Sequence, residues 1–308
     1  MPTFCRHNRL LQNCTICARE QNFEARPIVS SGTPRPAPPP EREDRPRAVG
    51  VRATHPSAPR ARPGSVRVRR LARGLEDGYR SSLVPGLKSS QDAERLAEEI
   101  AFSTTRLALM DQIAAGRDVP DVDPAWREIA APGDLEGRTQ LAIACVLDGP
   151  RGVEAGQREE TLAGIQAWGA RQGSLTGAVE GEPSWTPERR FERLFERLGG
   201  VRGLSRDSRY SLLTTLGHLG VYPLRGARLF LSGENEATWA AKRALGIGDP
   251  LLLDRRAAEL ADACGVPLEA LDLALHNWGS GARVTDGLPE DTEPDEGLAE
   301  QARHALGL

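Results

Sequence analysis

Past Val66 the sequence carries one periodicity and lacks the other. Apolar residues recur at three- and four-residue intervals, and no stretch sustains the period-two alternation of a half-buried strand. A chain patterned in this way has to fold as packed helices. In SSQDAERLAEEIAFSTTRLALMDQIAAG (89–116), Leu96, Ile100, Leu107 and Ile113 fall at helical spacing. Ser and Asp residues open the segment and Gly116 closes it. TPERRFERLFERLGG places Thr186 as N-cap and Pro187 in the first turn. Phe191, Leu194, Phe195 and Leu198 share one face, and Gly199 marks the end. The same pattern predicts helices over 138–147, 157–171, 206–218, 235–245, 250–264 and 267–278. VYPLRGARLFL (221–231) breaks the pattern and fits a short extended crossing. The acidic DGLPEDTEPDEG (286–297) reads as a loose tail before a short terminal helix. Aromatic residues make up only 5% of the 308, so the core rests on Leu, Ala and Val. Cys145 and Cys264 sit in apolar helical contexts and read as small core residues.

Residues 27–63 cannot join that core. TPRPAPPPEREDRPR and THPSAPRARPG are rich in Pro and Arg without apolar period, the composition of an extended linker. Between Arg26 and Arg70 the formal charge is +8, and from Leu71 to Leu308 it is -12. A basic segment tied to an acidic body points to a nucleic-acid contact. Of the 40 basic residues only Lys88 and Lys242 are lysine, which equally fits a GC-rich coding bias. No apolar run reaches the 18 residues of a membrane span. A Cys/His cluster stands where a signal peptide would need an apolar stretch, so a cytoplasmic, reducing location is expected.

That cluster, FCRHNRLLQNCTIC, holds Cys5, His7, Cys14 and Cys17. Three thiols and an imidazole in a short polar segment suit a closed, tetrahedral, structural Zn²⁺ site, a zinc knuckle over residues 1–25. Metal binding would supply the folding free energy that so few apolar residues cannot, on the order of 10 kcal/mol. The expected layout is therefore the knuckle at 1–25, a linker at 26–65, a helical body at 66–285 and a tail at 286–308.

AAKRALGIGDPLLLDRRAAELADACGVPLEALDLALHNWG (240–279) carries the chemistry. It reads as helix, Leu-Gly-Ile-Gly, helix, then a Gly265-Val266-Pro267 break and a further helix bearing Asp272. Two glycines around one apolar residue let backbone approach a phosphodiester, with the next helix's N–H groups aimed at the anion. Gly246, Ile247 and Gly248, with Lys242 and Arg243, are thus candidate contacts to nucleic-acid backbone rather than to base sequence. Read alone, the same two glycines also suit an ordinary helix–helix turn. Trp239 and Trp278 read first as core residues and second as surfaces for an extruded base. His218 and His276 read as partly buried helical histidines. There is no phosphate loop of the Gly-x4-Gly-Lys-Ser/Thr type, so no nucleotide cofactor is expected.

The order of hairpin, helix, Gly-x-Pro break and aspartate resembles the helix-hairpin-helix DNA glycosylases. It departs from them in a longer helix after the hairpin, in lacking a lysine beside the hairpin, and in Leu273 following Asp272. The wider order LLTTLGHLGVYPL, AAKRALGIGD, LLLDRRAAELA, LDLALHNWG, behind the N-terminal Cys/His cluster, resembles the α-glutamyl/putrescinyl thymine pyrophosphorylase family, third clade. That resemblance spans about 70–285 together with the knuckle. It implies a mostly α, glycosylase-like body acting on a modified pyrimidine in DNA, by base excision or by displacement on an activated hydroxymethylpyrimidine. Asp272 would be the carboxylate at the sugar, with Asp254 as its rival, although read alone Asp272 equally suits a helix-start or salt-bridging residue. The alternative is a zinc-containing DNA-binding or adaptor protein that keeps the fold without the chemistry.

Overall fold

A computed structural model of the chain describes residues 75–308, apart from 286, 290 and 291. The chain divides at Ser65/Val66 into two units. The first, with Cys5, His7, Cys14, Cys17 and the linker, lies outside the described residues.

Every regular element among the described residues is helical, and none is a strand. The helices are α1 (Ser90–Ala114), α2 (Pro124–Ala130), α3 (Leu135–Asp148), α4 (Arg158–Ala170), α5 (Leu175–Glu180) and α6 (Pro187–Leu198). Then come α7 (Arg206–His218), α8 (Glu236–Leu245), α9 (Pro250–Cys264), α10 (Leu268–Ser280) and α11 (Glu296–Leu306). The starts are set by side chains that accept from the first free N–H groups, as at Ser89, Asp134, Thr186, Ser205, Asn235 and Asp249. Gly246 and Gly265 end α8 and α9 in the left-handed conformation that glycine adopts without strain.

The long α1 is the spine. Leu96, Ile100, Leu107 and Met110 bury its inner face, and α10 and α11 pack along it. α8 lies against α10, while α3 and α6 pack on α7, so α7 and α10 end up inside the molecule. Phe191 and Phe195 of α6 meet Tyr210 of α7 edge-on, at 5.1 and 6.2 Å between ring centres. None of these helices is long and apolar enough to cross a membrane.

One expectation changes. The helical body does not end at 285, because α11 buries Ala299, Ala302 and Leu306 against α1, and Arg303 pairs with Glu94 at 2.5 Å. An alanine-rich stripe lets helices approach closely, and it is easily missed behind an acidic stretch. Residues 221–231 form no strand. They run as irregular chain held by buried Leu224, Leu229 and Leu231.

The segment before α1 is irregular but firmly placed. Val84 and Leu87 are buried, and the Tyr79 hydroxyl donates to the Leu306 carbonyl at 2.5 Å. Gly86 donates its N–H to the Ala244 carbonyl at 2.9 Å. A Cβ on Gly86 would collide with the Arg243 carbonyl, so only glycine allows the segment to close on the end of α8.

Candidate functional site

Gly246, Ile247, Gly248 and Asp249 form a four-residue turn between α8 and α9. Gly246 has φ of 66°, and its N–H bonds back to Lys242. Gly248 is exposed, and a Cβ there would meet no atom within 4 Å. The N–H groups of Leu251 and Leu252 are capped by the Asp249 carboxylate at 2.9 and 3.1 Å. The N–H groups of Ile247, Gly248 and Asp249 engage no acceptor among the described residues. Three successive unengaged donors on a turn with two exposed glycines are available to an anion. Lys242 stands on the last turn of α8 with its ammonium 5.1 Å from the centre of the Trp239 ring. Arg243 turns inward, pairing with Asp92 at 2.7 Å and lying over Trp278 at 4.6 Å. Trp278 is core, as expected, but Trp239 is 54% exposed, because it lies on the outer face of α8.

Asp272 is fully buried on α10. One carboxylate oxygen accepts from Arg151 at 2.5 Å and the other is paired with Arg206. Arg206 also pairs with Asp207 at 3.0 Å, and His276 Nδ1 lies 3.4 Å from the second Asp207 oxygen. All five residues are under 10% exposed. Two guanidiniums and two carboxylates balance at the crossing of α7 and α10, as burial of charge requires. Ser208 fixes the Arg151 loop by donating to the carbonyls of Arg151 and Gly152 at 2.8 Å. Burial disfavours the Arg206 cation, but Asp272 and Asp207 hold it charged. Burial likewise opposes the Asp207 anion, but His276, Arg151 and Arg206 outweigh it and keep the carboxyl well below the usual carboxylate range. The Tyr210 phenol is pushed well above its usual value by burial and by the charges of Asp272 and Glu269. Burial also lifts the Cys264 thiol to about 11, in line with a core role.

A folded-state pKa depressed in this way gives stability that is present above the unfolded value of about 3.9 and lost as pH falls. Wild type is therefore expected to lose about 1 kcal/mol more than Asp207→Asn between pH 5 and pH 3. Urea unfolding at each pH measures the difference, and parallel pH curves for the two proteins would refute it.

A cleft of about 270 Å³ opens between α6, α7, the 228–232 segment and the first turn of α9. Phe195 and Phe230 stack at its centre, 4.2 Å apart and 12° from parallel. Arg209 lies over Phe195 at 4.3 Å, and Arg228 lies over Phe230 at 5.2 Å. Phe230 has φ of 55°, a costly conformation for a bulky side chain, of order 1–3 kcal/mol. Stacking on Phe195 recovers only about 0.5–1.5 kcal/mol. The remaining restraint comes from both flanks. Arg206 donates to the Leu229 carbonyl, and Leu231 donates its N–H to Asp254 at 2.9 Å. Asp254 lines the cleft, with Arg228 3.4 Å from its other oxygen. Pro250 and the 73% exposed Leu251 form the rim, so the cleft and the turn share α9.

The turn residues thus lie together and exposed, and Asp254 borders an open cleft one turn further on. Asp272 lies apart from the cleft opening, inside the buried cluster. His218 is buried with Nδ1 2.9 Å from Asp111. Sequence reasoning missed Arg151, Arg206, Asp207 and Phe230. Arg206 and Asp207 look like ordinary polar residues of a first helical turn, and nothing local marks Phe230 as left-handed. No group of three or more His, Cys, Asp or Glu among the described residues is arranged to hold a metal ion. Comparison of the chain with protein-family models, with curated proteins and with solved structures finds no match in any of the three.

Proposed function

We propose that this protein grips the phosphodiester backbone of DNA with the Gly246–Gly248 turn and receives a modified pyrimidine, swung out of the stack, in the neighbouring cleft. The observation that carries this reading is the row of unengaged N–H groups at Ile247, Gly248 and Asp249, beside a cleft built on the same helix. A backbone held at the turn runs past Pro250 and Leu251 to the cleft mouth. Lys242 adds a nearby cation that has no carboxylate partner among the described residues, and Arg243 serves the core in place of the ligand. The resemblance in motif order to glycosylase-like proteins supplies the reaction class. The base leaves with the electron pair of its bond to the sugar and water adds to the sugar carbon, or an amine bonds to the activated methylene as pyrophosphate leaves with its electron pair. A carboxylate stabilises the positive charge that develops. Asp254 is the carboxylate on the cleft, and Asp272 supports from within.

Gly248→Val tests the grip cleanly, because a side chain there meets no atom and the backbone is not left-handed. It is expected to weaken binding to every duplex about tenfold, the worth of one charge-assisted hydrogen bond. Wild-type affinity should fall steeply with salt. Unchanged affinity in Gly248→Val would remove the turn from the interface. Single-turnover release or modification of the base on DNA carrying hydroxymethylpyrimidines, compared between wild type and Asp254→Asn, tests the chemistry.

A non-catalytic DNA-binding or adaptor role is the second reading. It is favoured by the engagement of both Asp254 oxygens, one by Leu231 and one by Arg228. Absence of turnover on every modified duplex, with binding intact, would select it. Cys5, His7, Cys14 and Cys17 belong to either reading as a structural zinc site. Elemental analysis of the reduced full chain should find about one zinc per molecule. Full occupancy in Cys14→Ser would rule the site out.

A further inference from the structure

We propose that Asp272 is a positioning residue for the cleft, acting through Arg206 to hold Phe230 in place as the aromatic wall. The connection is continuous. Asp272 and Asp207 both pair with Nη1 of Arg206 and draw the guanidinium to the foot of the 228–232 segment by charge. Nη2 of the same group donates to the carbonyl of Leu229, the residue before Phe230. On the other side, Asp254 accepts from the N–H of Leu231, the residue after it. Phe230 is thereby gripped at both neighbouring peptides in a conformation that a phenylalanine would leave if released.

Its ring then has one position, parallel to Phe195. The inner face of each ring is covered by the other. The outer face of Phe195 is closed by Arg209, whose guanidinium is anchored to the Phe195 carbonyl at 2.9 Å. Phe230 also carries Arg228, a half-exposed side chain held by Glu192 and Asp254 that a ligand would have to displace. The wall therefore offers one aromatic face to the cleft, and the buried charges decide where that face stands.

This also gives the cluster a task. Burying two arginines and two aspartates is a poor way to stabilise a core that leucines would fill. It is a good way to fix one guanidinium in space, because two carboxylates attract it while the Tyr210 ring lies 4.6 Å beneath it. The inference does not depend on the DNA reading, since it needs only the cleft and the loop.

The test uses the full chain labelled with 4-fluorophenylalanine at its six phenylalanines, with the Phe230 resonance assigned by Phe230→Leu. Arg206→Lys keeps a cation for Asp272 and Asp207 but cannot also reach the Leu229 carbonyl. The Phe230 and Phe195 fluorine signals are expected to shift by more than a linewidth, while Phe102, on α1, stays put. Asp272→Asn should move the same two signals. In a Phe230→Gly background, where glycine accepts the left-handed conformation unaided, Arg206→Lys should no longer move Phe195. That rescue separates positioning from general support. Unmoved Phe230 and Phe195 signals in folded Arg206→Lys would overturn the proposal, as would a shift shared equally by Phe102. Should Asp272→Asn not fold, Arg206→Lys and its rescue decide alone.

Discussion

Asp272→Asn is expected to destabilise the helical body by about 3–5 kcal/mol. The substitution keeps the shape of the side chain and removes one of two negative charges at the crossing of α7 and α10. Arg151, at 6% exposure, and Arg206, at 6%, would then share only Asp207. The remaining positive charge cannot be shed by deprotonation, because arginine stays charged at any pH where the protein is folded. Asp254→Asn makes the opposite prediction. Its carboxylate borders open cleft, and an amide oxygen can still accept from Leu231, so the cost should stay near 1 kcal/mol. Urea unfolding of the two variants measures the contrast. A loss at Asp272 no larger than at Asp254 would mean that the buried pairs are not under load.

Trp278→Ala should match that loss, at about 3–5 kcal/mol. Trp278 is 1% exposed and is one of the largest fully buried side chains. Its indole N–H donates to the Asp92 carbonyl at 3.0 Å, tying α10 to the first turn of α1. Arg243 covers the ring and pairs with Asp92, which joins α8 to the same point. Truncation leaves a cavity where three helices meet and takes away the surface on which Arg243 lies. Trp278→Phe keeps most of the volume and loses the hydrogen bond, so it should cost about 1 kcal/mol. Thermal unfolding of both variants checks the order, and equal losses would place the hydrogen bond above the packing.

The helices were legible where sequence pattern and cap agree. Thr186-Pro187 opens α6, Gly265 closes α9, and the four apolar positions of α6 are all buried as their spacing requires. Short helices without a full apolar repeat were not legible. α2 and α5 owe their existence to Asp123 and Ser174 caps and to tertiary contact. The turn at Gly246–Gly248 could be read because two glycines between helical runs leave few other structures. A salt-bridging role is among the sequence readings of Asp272, but its partners could not be read. Its partners Arg151 and Arg206 are distant in the chain, and ion pairing between helices leaves no local pattern. The two tryptophans show the same limit. Trp239 and Trp278 stand in similar helical surroundings, yet Trp278 fills the core where α10 packs on α1, and Trp239 faces outward from α8, which packs on α10 instead.

The irregular residues ahead of α1 bear on how the protein can be shortened. Asp77 accepts from the backbone N–H of Ser90 at 2.9 Å, Tyr79 bonds to the end of α11, and Gly86 closes on the end of α8. A fragment starting at Ser89 would retain every described helix and yet lose all three ties. Its outer helices would then rely on side-chain packing and on side-chain ties such as Arg303–Glu94 and Arg243–Asp92, and the last carbonyls of α8 would be open to water next to the Gly246–Gly248 turn. Cutting before Asp77 should leave the body intact, whereas cutting after Gly86 should loosen the turn first, well before the core around Leu96 and Trp278 gives way.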